Sequence, residues 1–404
     1  MTMSDSTPEN TSREHFVPLT KAGLVAALVS GLEPPHQQKF RDFCQMLEAT
    51  LHYEFHAQLE HLCQAYQGCN PDSDKIAAAM PSQSDDDFFP RFEELLKKAN
   101  FHALSRAAID QAINAARTWD VVLHVDFDRF EHLVVYARGE ATDSATRRSW
   151  RTWFRPVEYE VPIYRRLVIA FQLRHDARLE PGEVRDAIYI KLFKNIPHSE
   201  LDKLLPGGEV RMTWWDRTRV FAPTVTGLAI TAYKISKGAL LLAFAGVYGM
   251  LAFLGLVGGT IGYGARSFFG YLRAKDKYRL KLTRNLYYQN LDNNAGVLFR
   301  LLYDAEEQEF SEAALAYFLL WRSNDEAAFS LEELDQKAEA LLAEHGCGQV
   351  DFEVSDAVAK LRRWGLIEQV EEQRYRAVPI NEALALLDTA WDSYFHHRVE
   401  CDTA

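Results

Sequence analysis

The chain has 404 residues, of which 48% are apolar and 25% charged, with a formal net charge of -12 at pH 7. Length and apolar content predict two or three domains with real cores and exclude a disordered chain, while the acidic balance excludes a surface that binds nucleic acid throughout, because phosphate contact requires cations. Cys44, Cys63, Cys69, Cys347 and Cys401 form no CxxC pair, a usage that gives neither a zinc knuckle nor a disulfide framework and fits a reducing compartment.

Residues 1–33 read as a flexible N-terminal segment. Its start, MTMSDSTPENTSREH, is polar and acidic where a secretory signal would show basic residues and an apolar run. A helical region is predicted over 34–118. In PPHQQKFRDFCQMLEATLHYEFHAQLEHLCQAY, Phe40, Phe43, Leu47, Leu51, Phe55, Leu59, Leu62 and Tyr66 follow three- and four-residue steps, which makes one core-facing stripe. His52, His56 and Cys63 fall within about 40° of one another beside it, at roughly 100° per residue, and could in principle ligate zinc. The order is HYEFH and lacks the HExxH glutamate base, so a solvated or hydrogen-bonded flank is the preferred reading. A loop is expected from GCNPDSD to MPSQSDDDFF. Helices resume at RFEELLKKANFHAL and SRAAIDQAINAARTWD, the latter with Ser105 as N-cap.

An α+β sheet region is predicted over 119–222. VVLHVDFDRFEHLVVYARGE, YEVPIYRRLVIAFQLR, AIYIKLFKNIP and EVRMTWWDRTRVFAP are β-branched and aromatic runs separated by Gly, Pro and Asp. His124, Asp126 and Asp128 alternate onto one face of the first run, where they could bind a divalent metal or share a proton. The same alternation is what the wet side of a half-buried strand requires, and that reading is preferred. No GxGxxG follows a strand, and no GxxxxGK[ST] or GxSxG occurs, so phosphate cradles and the hydrolase elbow find no support.

Residues 223–271 hold GALLLAFAGVYGMLAFLGLVGGTIGYGA, 28 residues without a charge from Gly238 to Ala265. Because roughly 20 apolar residues cross a bilayer as a helix, a transmembrane region is expected, as a helical hairpin with a turn near Gly246 to Gly249. A single span and a buried or surface-lying helix are the alternatives. Gly255, Gly259 and Gly262 make a small-residue face suited to close helix approach or self-association. Lys234 and Lys237 would lie inside the first arm, and a transport or pore component could use them to line its path. A basic membrane-proximal helix is expected over 272–303, where Lys275, Lys277, Arg279 and Lys281 would meet anionic headgroups. Asn290, Asp292, Asn293 and Asn294 within it are turn and cap formers that would fasten it to the C-terminal domain.

In 304–396, DAEEQEFSEAALAYFLLWRS, SLEELDQKAEALLAEHG and VSDAVAKLRRWG read as three helices, and LIEQV and RYRAV as a hairpin, which suggests a winged-helix-like domain. Lys360, Arg362 and Arg363 would lie on its recognition helix. From Asp304 to His396 there are 21 Asp/Glu against 7 Lys/Arg, a net of -14, so protein contact is expected and nucleic acid is not. Residues 397–404 are a tail.

The blocks LHYEFH, YIKLFKNIPHSELDKLLPGGEVRMTWWDR and RSFFGYLRAKDKYRLKLTRNLYYQNLDNNAGVLFRLLYDAEEQE resemble the uncharacterised membrane family that includes transmembrane protein 143. That resemblance implies membrane residence and a shared architecture, and carries no catalytic residue. The expected fold is therefore α+β with transmembrane helices: an N-terminal helical plus antiparallel-sheet region, a helical membrane hairpin and a winged-helix-like C-terminal domain. The expected role is a membrane-anchored scaffold or regulatory partner-binding protein whose soluble domains share the cytoplasmic side, with the lipid bilayer and a protein as partners. A membrane-bound metal-dependent enzyme using His52 and His56 or His124, Asp126 and Asp128 is the alternative from another class. No cofactor is expected.

Overall fold

A computed structural model of the chain describes residues 16–73, 88–116, 123–124, 127–148, 156–176, 184–205, 209–210, 287–323, 328–348, 350–371 and 373–394, with single positions at 233, 247, 255, 258, 262 and 269. It separates into two compact units. One is Met1–Leu104, Arg129–Ile196 and Leu291–Ala404; the other is Ser105–Asp128 and Pro197–Asn290.

The first unit is built around helices. α1 (Lys21–Ser30) starts at Thr20, whose hydroxyl accepts the Gly23 amide, and it buries Leu24, Leu28 and Val29. The segment read as flexible thus contributes to a core. α2 (Pro34–Tyr66) begins with proline, which has no amide to leave unsatisfied at a first turn. Every residue of the predicted stripe, from Phe40 to Tyr66, is buried. α3 (Phe88–Lys98) packs Phe88 and Phe92 near Tyr66.

α5 (Ala295–Arg322) is the helix on which the unit is assembled, with buried residues on all sides. It stacks Tyr317 on Phe43 at 4.1 Å and sets Phe318 edge-on to Phe40 at 5.2 Å. Each such ring withdraws apolar area worth about 1.5–3 kcal/mol. α6 (Leu331–Glu344) opens with a capping box between Ser330 and Glu333. α7 (Val354–Arg363) and α8 (Ile380–Ser393) complete the helical set. The Tyr317 hydroxyl donates to the Val378 carbonyl, and Leu334, Ala338, Leu361 and Leu387 enter the same core cluster as Phe40 and Leu301.

The sheet of this unit has the order β1-β3-β4-β5-β7, from β1 (His102–Ala103), β3 (Phe130–Arg148), β4 (Pro156–Leu173), β5 (Ile188–Pro197) and β7 (Asn290–Asn293). β3 and β4 form a long antiparallel ribbon running from Phe130↔Leu173 to Arg148↔Pro156. A second sheet, β8-β10-β9, joins β8 (Phe329–Ser330), β10 (Arg374–Ala377) and β9 (Ile367–Glu371). In the other unit α4 (Arg106–Ala116) starts at Ser105, whose hydroxyl accepts the Ala108 amide as its capping position predicts. There β2 (Leu123–His124) pairs with β6 (Glu209–Val210).

Asn294 joins sheet and helix. Its backbone donates to the Ile190 carbonyl, its side-chain oxygen accepts the Ile190 amide, and its side-chain nitrogen donates to Asp72. It holds φ 49°, which costs a non-glycine residue strain that these bonds offset. Asn294→Ala is expected to lose about 2 kcal/mol, since the Ile190 amide stays buried without its acceptor. Urea unfolding checks this, and a loss below about 0.5 kcal/mol would mean that water replaces the amide.

Two expectations are corrected. Among the described residues no helix is long and apolar enough to cross a membrane. α2 and α5 are long enough but interrupt their apolar residues with charge, and their apolar faces are covered by protein. Residues 223–271, on which the transmembrane hairpin rested, lie outside the described residues except for the single positions named. An uncharged run shows how much apolar surface must be covered, not that lipid covers it. The second correction concerns the winged helix. The helices and hairpin form near the expected positions, but the first of them is the inner part of α5, which begins at Ala295 and shares its core with α1 and α2.

Candidate functional site

α5 carries DAEEQEFSE through the centre of the first unit. Glu306, Gln308, Glu309, Ser311 and Glu312 are all buried, and each finds a hydrogen-bonding or charged partner. Lys21 on α1 reaches Glu306 at 2.6 Å and Glu48 at 3.1 Å. Burial acts to lower the Lys21 pKa, and the two carboxylates outweigh it and raise it. The other Glu306 oxygen faces His52 Nδ1 at 3.0 Å. Gln308 clamps the backbone of Val17, accepting its amide and donating to its carbonyl. Ser311 donates to the Glu307 carbonyl.

Lys360 on α7 lies between Glu309 at 2.7 Å and Glu312 at 3.1 Å, with the Asn100 amide donating to the other Glu312 oxygen. Two carboxylates share one ammonium. Burial therefore dominates at Glu312 and pushes its pKa up to about 7 against the pull of Lys360. Lys360 itself is raised: burial opposes its charge, and the two carboxylates overcome that.

Alongside this network, α2, α7 and α8 border an open groove of about 430 Å³, lined by Glu54, Arg363, Trp364, Leu386, Thr389 and Tyr394 among others. Arg363 pairs with Glu54 at 2.6 Å, and the Tyr394 hydroxyl donates to the same carboxylate. Burial and that bond raise the Tyr394 phenol to about 12. At the rim Tyr53, Trp391 and Tyr394 make an aromatic cluster with centroids 4.7–6.5 Å apart. Trp391 is 37% exposed and lies between the exposed acids Asp388 and Asp392.

The sequence candidates fall elsewhere. His52 and His56 stack at 6.4 Å, but His52 is committed to Glu306, and neither belongs to a metal-like cluster among the described residues. Cys63 is half-buried. His124 and Asp128 do not share a strand: β2 ends at His124, paired with Glu209, and Asp128 lies in a 3-10 turn over Phe127–Arg129. Asp126 lies outside the described residues. Gly255 and Gly262 are helical, with no atom of the described residues within 4 Å of an added methyl, and Gly259 is outside the described residues. So are Lys234, Lys237, Lys275, Lys277, Arg279 and Lys281. Of the recognition-helix cations, Lys360 and Arg363 are engaged by carboxylates of the same unit.

Among the described residues, Asp335, Glu339 and Asp351, half-buried at the edge of α6, bring three carboxylates within 4.8 Å of one another. A hard cation such as Ca²⁺ takes roughly six to eight oxygens, so these residues would supply part of a shell. Cys44, buried on α2, is pushed well above the ordinary thiol range by burial, which keeps it from acting as a thiolate.

The groove and the buried acids were not singled out from sequence. A signal existed in the acidic run set inside an otherwise apolar helix, LLYDAEEQEFSEAALAYFLLW, which a solvated helix would not need.

The family described as Protein of unknown function (DUF3754) matches residues 130–296, less than half of the chain. No solved structure matches it.

Proposed function

We propose that this is a regulatory or scaffolding protein that binds a segment of another protein in the groove bordered by α2, α7 and α8. The observation that carries this reading is the aromatic rim of Tyr53, Trp391 and Tyr394 beside the Arg363–Glu54 pair. Trp, Tyr and Arg are the side chains that supply most of the energy at protein interfaces, because they bury large rigid area and keep a polar handle. Asp388 and Asp392 on either side of Trp391, and the acidic balance of the surrounding tail, favour a partner segment with basic and apolar residues.

A photo-crosslinking amino acid placed at Thr389 in the intact chain tests this in cells. A discrete adduct is expected, and its protein, once purified, should bind Trp391→Ala about thirtyfold more weakly than wild type, the loss of a central aromatic anchor worth about 2 kcal/mol. Equal affinity for wild type and Trp391→Ala would overturn the groove assignment.

A further inference from the structure

A cavity of about 300 Å³ opens between α2, α3 and α5. Its walls follow from helix spacing. Gln58, His61 and Leu62 on α2, and Arg91, Glu94 and Leu95 on α3, each stand at i, i+3 and i+4, so each trio shares one helix face, and the two faces line the same space. Leu302 of α5 completes the lining. Leu62, Leu95 and Leu302 are buried and give it an apolar floor. At roughly 30 Å³ per water the space takes about ten water-sized groups, which suits one small organic molecule.

The polar side of the cavity is biased toward donors. Lys98 Nζ lies 3.0 Å from Glu94 and 3.0 Å from Gln58 Oε1, with the Phe55 ring centroid at 5.9 Å. One ammonium thus engages the only carboxylate and the only carboxamide oxygen of the lining. The Gln58 amide nitrogen is left to donate, and His61, one turn further along α2, makes no hydrogen bond, ion pair or ring contact among the described residues. Arg91 adds a guanidinium to the same wall. Arg91 and Lys98 against Glu94 leave one positive charge in excess, in a chain of formal net charge -12. Apolar walls strengthen such a field, because they exclude the water that would screen it. A monoanion balances that excess, whereas the second charge of a phosphate dianion would go unmatched.

We infer that this cavity binds a small organic acid, a single carboxylate on an apolar body. The carboxylate accepts from Gln58 Nε2 and the His61 ring beside the Arg91 guanidinium, and the apolar body lies against Leu62, Leu95 and Leu302. The site belongs to a different face of α2 from Glu54 and stands whether or not the groove beside α8 holds a partner.

Phenylbutyrate is the probe, titrated into the intact chain at low ionic strength and followed by saturation-transfer NMR. Arg91→Met is expected to weaken binding at least about tenfold and His61→Phe about fivefold, the losses of a charged and a neutral donor. Both residues are exposed, so their substitution leaves the core in place. Glu94→Gln supplies a readout of opposite sign: it should tighten binding about threefold, because a negative charge leaves the wall. Phenylbutyramide, of the same shape without the charge, should bind at least about tenfold more weakly than phenylbutyrate. Equal binding of amide and acid, unchanged affinity in Arg91→Met, or tighter binding of phenylethyl phosphate than of phenylbutyrate would each overturn the assignment.

Discussion

Lys360→Met is expected to cost about 3–5 kcal/mol of folding stability, the cost of removing one partner from a buried charge group. The ammonium is buried with Glu309 and Glu312, at 2.7 and 3.1 Å. Methionine fills similar volume, so packing loss is small and the effect reports the carboxylates left without a cation. Adding Glu312→Gln to Lys360→Met should restore part of the loss, because a neutral amide tolerates burial and can still meet Asn100. Denaturant unfolding of the four proteins closes the cycle. A loss under about 1 kcal/mol in Lys360→Met would mean that water reaches these carboxylates.

The second large effect is on pH dependence. Glu312 has a folded pKa near 7 against 4.5 for the free side chain, raised first by burial. Between those values the folded chain binds a proton that the unfolded chain has released. Its contribution is therefore fully present below pH 4.5 and is lost as pH rises through about 7, a change of about 3 kcal/mol at 1.36 kcal/mol per pKa unit. Glu312→Gln removes this group's titration while leaving the others. The variant is expected to gain on wild type steadily from pH 5 to pH 8 and to be the more stable of the two at the upper end. Parallel stability curves would show that Glu312 is ionised throughout.

Much of the helical architecture was legible from periodicity. The α2 stripe is carried by large residues at three- and four-residue steps, and every one of them faces the core. The β3 and β4 runs were recognisable from their β-branched and aromatic content. The interrupted strand was not legible, since the alternation of His124, Asp126 and Asp128 continues across the 3-10 turn that breaks it. The central role of α5 was hidden for a different reason: five acids within nine residues have the composition of a solvated face. The burial of three of them, Glu306, Glu309 and Glu312, depends on Lys21, His52, Asn100 and Lys360, whose proximity only the tertiary fold establishes. The same long-range pairing turned Lys360 from a predicted recognition-helix cation into an internal tie. The transmembrane expectation rested on an uncharged run, its basic flanks and a family resemblance, none of which identifies what covers an apolar segment.

The groove exists because Glu54 of α2 meets Arg363 of α7 and Tyr394 after α8, so the proposed function requires the C-terminal helices to share one cooperative core with α2. Native-state hydrogen exchange of the intact chain, followed through increasing denaturant, tests that requirement most directly. The expected result is that core amides of α5 from Leu298 to Phe318 exchange with the same opening free energy as those of α2 around Leu47 and of α7 around Leu361, the signature of one unfolding unit. Exchange of residues beyond Asp304 as a separate unit, with α2 still protected, would contradict it.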